Sequence, residues 1–333
     1  ETTTSKYIPR ETLRRVSTPQ AYRFDLLDSK YHEAYEKEIG IYGSHYTNTM
    51  MVELGVKLHF AAGSDKNIKL TTKDDLEMFK AYLKADKDNW YKNFWSNAFM
   101  KLGDDYLENI YYLRRYLMAA GSQGEFPVAF NGGLWRWNRD VMNWVTPHHW
   151  NTQQQYWGLC AQNDCQLMAP YLDTYFKMIP SGETLAKEYG ASDDALLITE
   201  AHCFTGEQTG KDREDMRNNF TPASQIASLF WDYYAFTGDK DFLKSKAYVF
   251  MKKAANFYLE KLQWDAEKKE FYFLSSLYES ADISYVKNTI SDRNCIEQLF
   301  RNCIKAATLL KTDKDKIAQW KHVLNHLWKI SYE

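Results

Sequence analysis

The stretch Phe126–Trp157, FPVAFNGGLWRWNRDVMNWVTPHHWNTQQQYW, concentrates the side chains best suited to chemistry. It holds five tryptophans, the adjacent His148 and His149, Asn151 and the run Gln153-Gln154-Gln155. Indole faces stack on the apolar C–H faces of a sugar ring, and amides and imidazoles offer its hydroxyls paired donors and acceptors. Trp135, Trp137, Trp144 and Trp150 are therefore candidate walls of a sugar subsite, with His148 and Gln154 as hydrogen-bonding partners. The plain alternative is a core helix entered through a Trp-rich loop, since indoles are usually well buried. Two glycines, two prolines and several asparagines in the same passage favour a working surface, because function concentrates on loops held by a rigid scaffold.

Composition sets limits around that site. The chain has 333 residues, enough for a large core and two domains. Its aromatic share is 16%, with 24 Tyr and 11 Trp, an excess that suits a carbohydrate-handling protein. A net charge of −2 supplies no electrostatic case for nucleic acid or an anionic membrane. No apolar run reaches the roughly 18 residues that a membrane helix needs. Cys160, Cys165, Cys203, Cys295 and Cys303 form no C-x-x-C pair, so they read as small buried thiols. Asp193-Asp194 and Glu200-Ala201-His202 fit no standard metal-ligand spacing, so no metal and no cofactor are expected. The first residue is Glu1, which suggests a processed form or a fragment.

The elements that must position the site are mainly helical. Residues 1–20 read as an extended arm. Val52–Phe60, VELGVKLHF, alternates apolar and polar residues and predicts a half-buried strand, so 1–65 is expected to be an arm and β-rich remnant. From 66 to 333 the pattern predicts a helical domain. Thr72 to Asp75 caps a helix running toward Ala85. Helices follow over 91–102 and over 104–120, the second closed by Gly121. A long helix over roughly 148–168 is expected to stop at Pro170, and another to run from Tyr171 to Met178, before a turn at Pro180-Ser181-Gly182. Residues 181–220 are polar and aperiodic, a long excursion of the kind that often carries function. Thr221-Pro222 opens the next helix, with proline in its first turn. Helices over 241–262, 292–310 and 314–329 complete the pattern, with an extended stretch over 272–278. Helix pairs joined by short turns predict a toroid, and no fixed repeat period supports a solenoid instead.

Four passages in this order resemble glycoside hydrolase family 95, which holds α-L-fucosidases and α-L-galactosidases. They are Gly124–Pro127 through Gly132–Trp135, Asn151 through Tyr156-Trp157 followed by Pro170, Ser228 through Asp239, and Asp292 through Leu299-Phe300. The resemblance covers roughly residues 85–325 and implies an (α/α)6 toroid, here with a short β segment at the N-terminus. It also implies an inverting, exo-acting glycoside hydrolase for α-L-fucoside or galactose-type sugars, an oligosaccharide or polysaccharide substrate, and a periplasmic or secreted setting.

Roles carry over by position. In the family an Asn, primed by an Asp, acts as the base that positions the attacking water. Asn151 falls on the second Asn of the family's pair, and His149 falls where the first Asn stands, a departure from the pattern. An imidazole there could orient water or a hydroxyl, or exchange protons near neutral pH. His148 and His149 also suit capping of the helix that follows. Glu279, in Ser275–Ser280, occupies the place of the family's general acid, with Glu200, Glu207 and Asp282 in reserve. Asp292 sits on the family's "M-D" aspartate and reads equally well as a helix cap. Other readings stay open: a non-catalytic carbohydrate-binding relative, a polysaccharide lyase on the same toroid, and a helical scaffold.

Overall fold

The computed structural model describes residues 21–40, 46–59, 70–128, 149–209, 218–275 and 285–330. The chain divides into two units, residues 1–93 and 94–333. In the first, α1 (Phe24–Glu36) and α2 (Thr47–Glu53) enclose a small core of Ala34, Met50, Met51 and Leu54. The expected cap of α3 (Lys73–Asp86) is present: Asp75 accepts the backbone N–H of Thr71 and Thr72, and its own N–H meets Thr72 Oγ1.

The expected N-terminal strand does not form among the described residues. Val52 and Glu53 belong to α2, which closes on Gly55 at φ +77°. The alternation is real, since Val56 and Leu58 lean on the core while Lys57 and His59 face solvent. A strand also needs a hydrogen-bonded neighbour, and among the described residues this extended segment has none. The strands lie instead at 263–287.

The second unit opens after the short helix α4 (Lys92–Ser96). Asp104 caps α5 (Asp105–Gly121) by accepting the N–H groups of Tyr106 and Leu107 at 3.0 and 3.1 Å. Within α5 the buried Arg115 reaches Asp164. The helix predicted over 148–168 is shorter. It is α6 (His149–Tyr156), followed at once by Gly158 at φ +79°, and the run of turns beyond it closes on Asn163 at φ +64°. A 3-10 turn, Cys165–Met168, then leads directly into α7 (Ala169–Lys177). Pro170 therefore opens a helix rather than stopping one, because a first-turn residue has no intrahelical N–H bond to lose. Pro180 does the same for α8 (Ile179–Glu188), where a turn was expected.

The aperiodic segment after α8 is partly a buried strap. Ala195 to Ile198 are essentially inaccessible. Leu196 N–H donates to the Lys253 carbonyl at 2.9 Å, and Leu197 N–H to that of Gly182 at 3.2 Å. Asn256 fastens the strap, donating from Nδ2 to the Asp194 carbonyl and carboxylate while accepting from Lys316 Nζ at 2.9 Å.

Thr221-Pro222 opens α9 (Pro222–Thr237) as predicted, and Gly238 ends it at φ +69°. A short helix and a π-helical turn, Leu243–Ala247, lead into α10 (Tyr248–Lys261). Two antiparallel pairs follow: β1 (Gln263–Asp265) with β2 (Glu270–Tyr272), and β3 (Leu274–Ser275) with β4 (Val286–Lys287). Then come α11 (Ile290–Leu310) and α12 (Lys314–Asn325). α9, α10 and α11 pack on one another, α12 packs on α11, and α9 also meets α6 and α7. Phe230, Phe250, Phe257, Phe300 and Trp320 fill the space between them. Removing each such ring from water contributes roughly 1.5–3 kcal/mol.

Candidate active site

The first turn of α6 is anchored from across the chain by Glu200. The His149 N–H donates to the Glu200 carbonyl at 2.9 Å, and the Trp150 N–H to its carboxylate Oε1 at 2.8 Å. A carboxylate at a helix N-terminus is favoured by the dipole and satisfies an N–H that lacks an intrahelical partner. The N–H groups of His149 and Trp150 are therefore capped by a glutamate some fifty residues on. Glu200 is itself buried, and its charge helps to raise the Tyr175 phenol, after burial.

α6 presents two faces. His149, Thr152, Gln153 and Tyr156 point inward, Asn151 is half-buried, and Trp150, Gln154 and Trp157 face outward. Trp150 packs edge-on against Trp157, ring centroids 5.2 Å apart. On the inner face, His149 Nε2 lies 3.0 Å from Gln225 Oε1, and Gln153 Nε2 donates to that same oxygen at 2.7 Å. Because a carbonyl oxygen only accepts, the facing imidazole nitrogen carries the proton and His149 is the Nε2–H tautomer. Complete burial pushes its pKa down to about 3, which outweighs the Gln225 bond. His149 is thus held as a neutral hydrogen-bonding group near neutral pH.

Tyr156 ties this helix to its surroundings. Its hydroxyl accepts the Val128 N–H at 2.8 Å and pairs with Ser122 Oγ at 3.1 Å, while burial raises it to about 12. A file of rings, Tyr156, Tyr171, Tyr175 and His202, runs behind it at centroid spacings of 4.7, 4.7 and 5.5 Å.

At the start of α11, Thr289 is the N-cap and Asp292 its buried partner. The Asp292 N–H meets Thr289 Oγ1 at 3.0 Å, and its carboxylate accepts the hydroxyls of Thr289 and Ser275. Burial raises the Asp292 carboxyl against those bonds. Asp292 thus ties the last residue of β3 to the head of α11, which agrees with its reading as part of a cap.

Trp135, Trp137, Trp144, His148, Glu279 and Asp282 lie outside the described residues. Of the reserve acids, Glu207 is exposed and Glu200 buried. Among the described residues no group of three or more His, Cys, Asp or Glu side chains could hold a metal. Sequence reasoning missed Gln225. Its one visible signal is a long polar side chain among small and apolar neighbours, in the helical turn after Pro222.

Residues 67–333 match the model of the glycosyl hydrolase family 95 catalytic domain. The chain belongs to that family. Residues 2–85 match a different model, 2-C-methyl-D-erythritol 4-phosphate cytidylyltransferase, so the two matches overlap across most of α3. The chain is 23% identical over 326 residues to alpha-L-fucosidase 2 of Arabidopsis thaliana, covering 92% of this chain and 34% of that protein. Over 84 residues it is 67% identical to ribitol-5-phosphate cytidylyltransferase of Lacticaseibacillus paracasei, covering 25% of this chain and 36% of that protein. It thus spans about a third of the length of these curated relatives. A putative kojibiose phosphorylase from human microbiome superposes with a TM-score of 0.56 at 13% identity, covering 79% of this chain and 41% of that one. The family 95 chain has the helical architecture of the (α/α)6 toroid.

Proposed function

We propose that residues 66–333 form a glycoside hydrolase domain that removes terminal α-L-fucosyl or galactose-type residues from oligosaccharides or polysaccharides with inversion. The observation that carries this reading is the family match over 67–333, combined with Asn151 standing beside the Glu200-anchored start of α6. In this reading Glu279 protonates the leaving oxygen as the glycosidic C–O bond breaks. Asn151, the base of this reading, orients the water that attacks the anomeric carbon from the opposite face and takes the proton that the water gives up. His149, neutral and buried, orients its neighbours. Trp135, Trp137, Trp144, Trp150, His148 and Gln154 line the sugar's approach, and a secreted or periplasmic setting belongs to the same reading.

The matched 84 residues make up 36% of the cytidylyltransferase relative, and no nucleotidyl transfer is proposed for the N-terminal unit on that share. The second reading is a carbohydrate-binding relative without turnover. The fully buried imidazole at the position of the family's first Asn favours it.

A panel of aryl α- and β-glycosides, including L-fucosides, L-galactosides, L-rhamnosides and D-galactosides, decides between them when run beside Glu279→Gln. Release of one sugar, largely lost in the variant, supports the hydrolase. Equal activity in the variant removes Glu279 from the site. Binding without turnover supports the second reading, and neither binding nor turnover on any sugar defeats both.

A further inference from the structure

A pocket of about 250 Å³ opens where α6 stops, against the second half of α9. Tyr156 and Trp157 wall it from the end of α6, Met168 from the 3-10 turn, and Leu229, Asp232 and Phe236 from α9. The three α9 residues are spaced three and four apart, so they share one helix face. His149 and Asn151 stand at the opposite end of α6, in its first turn.

The charge in this pocket is one-sided. No lysine, arginine or histidine is among the described residues that line it. Burial holds the Tyr156 phenol up at about 12 and the Cys160 thiol well above its ordinary value, so neither ionises near neutral pH. Asp232 is left as the charged group. Its carboxylate has no hydrogen-bond or ion-pair partner among the described residues, and desolvation raises its pKa. The residue keeps contact with water, so a ligand can reach it.

A lone carboxylate among aromatic and apolar side chains selects its ligand by chemistry. It repels anions. It offers a calcium ion one carboxylate where about six to eight oxygens are needed. A sugar, which needs several paired donors and acceptors, finds a single charged acceptor. An organic ammonium is satisfied in full. The carboxylate accepts its N–H, the rings attract its charge, and its apolar part displaces water from Met168 and Leu229. The volume lies below the roughly 300–1,000 Å³ of pockets for drug-sized ligands, which limits the body to one ring or a short chain.

We propose that this pocket binds a small organic ammonium ion, a primary amine on a single ring or short apolar chain, with Asp232 as its counter-ion. The proposal is independent of the carbohydrate reading.

The test is calorimetric titration of the full chain, near neutral pH, with benzylammonium, butylammonium and the neutral isostere benzyl alcohol. The ammonium ions should bind and the alcohol should bind at least about tenfold more weakly, the value of one charge-assisted hydrogen bond. Asp232→Asn keeps the shape, removes the charge and should weaken benzylammonium binding by about the same factor. That variant gives up no bond, so its melting temperature should be no lower than that of the unaltered chain. Ala161→Trp, at an exposed residue of the lining, fills the pocket and should abolish binding while Asp232 is kept. Circular dichroism reports whether each variant is folded.

Benzyl alcohol binding as tightly as benzylammonium, or undiminished benzylammonium binding in folded Asp232→Asn, overturns the counter-ion role. Undiminished binding in folded Ala161→Trp places the amine elsewhere and overturns the site. No binding of either ammonium ion at millimolar concentration overturns the proposal and leaves the carbohydrate reading untouched.

Discussion

Arg115 on α5 and Asp164 meet through two parallel hydrogen bonds, Nε to Oδ2 and Nη2 to Oδ1, both 2.7 Å, with neither side chain exposed. The remaining donors are not idle: Nη2 also reaches the Phe94 carbonyl at 2.8 Å, and the guanidinium lies 4.3 Å over the Phe94 ring. Bidentate geometry of this kind is specific to arginine. Removing one partner strands a buried charge, so Arg115→Met or Asp164→Leu alone should cost about 3–5 kcal/mol. The double substitution should cost less than the sum of the two. Urea unfolding of all three variants measures this, and strict additivity would show that the pair acts as two independent sites.

His149 should tie stability to pH. Its folded value, about 3, lies below the ordinary histidine value of about 6.5. The unfolded chain therefore binds a proton that the folded chain refuses, and the contribution is fully present above pH 6.5 and lost as pH falls toward 3. In that window the slope approaches about 1.4 kcal/mol per pH unit. His149→Asn should flatten the curve in urea titrations between about pH 4 and 7. An identical slope in the variant would place its origin elsewhere.

Asp292 has the opposite sign. Burial raises its folded value, so it favours the native state most when protonated. Its contribution is present below the ordinary carboxylate value of about 3.9 and declines as pH rises through the raised folded value. Asp292→Asn keeps an acceptor for Ser275 and Thr289 and should be tolerated with that decline removed. Asp292→Ala strands both hydroxyls and should cost about 1–3 kcal/mol. Equal losses in the two variants, read from unfolding curves, would contradict this account.

Gly182 is a packing requirement inside α8. A Cβ there would stand 2.3 Å from Leu196 Cδ1 and 2.9 Å from the Leu197 carbonyl oxygen. The leucine tip can move, but the backbone of the strap cannot do so cheaply. Gly182→Ala should destabilise by about 1–3 kcal/mol despite alanine's better helix propensity. A raised melting temperature would mean that the strap yields without loss.

Much of the helical order was legible because its punctuation is local. Asp104 before α5, Pro222 at the start of α9 and Gly238 at its end act within one turn, and the chain obeys each of them. The errors share a cause: a local signal with two physical meanings. Proline both ends one helix and begins another, so Pro170 reads locally as a stop although it opens α7. Alternation marks one buried face but not a partner, so Val56 and Leu58 pack inward without joining a sheet. The polar partners of α6 were only half legible. His149 and Asn151 stand in a passage dense with polar and aromatic residues, whereas Glu200 and Gln225 reach α6 from distant segments, and only the fold brings them there.

The strap over 194–200 has no regular secondary structure, yet it is clamped at Asp194 by Asn256 and at Leu196 by the Lys253 carbonyl. Its amides should therefore resist hydrogen exchange and open only together with α10, as one cooperative unit. Glu200 ends that segment and holds the first turn of α6, so the start of this helix inherits the opening free energy of a distant segment clamped onto α10.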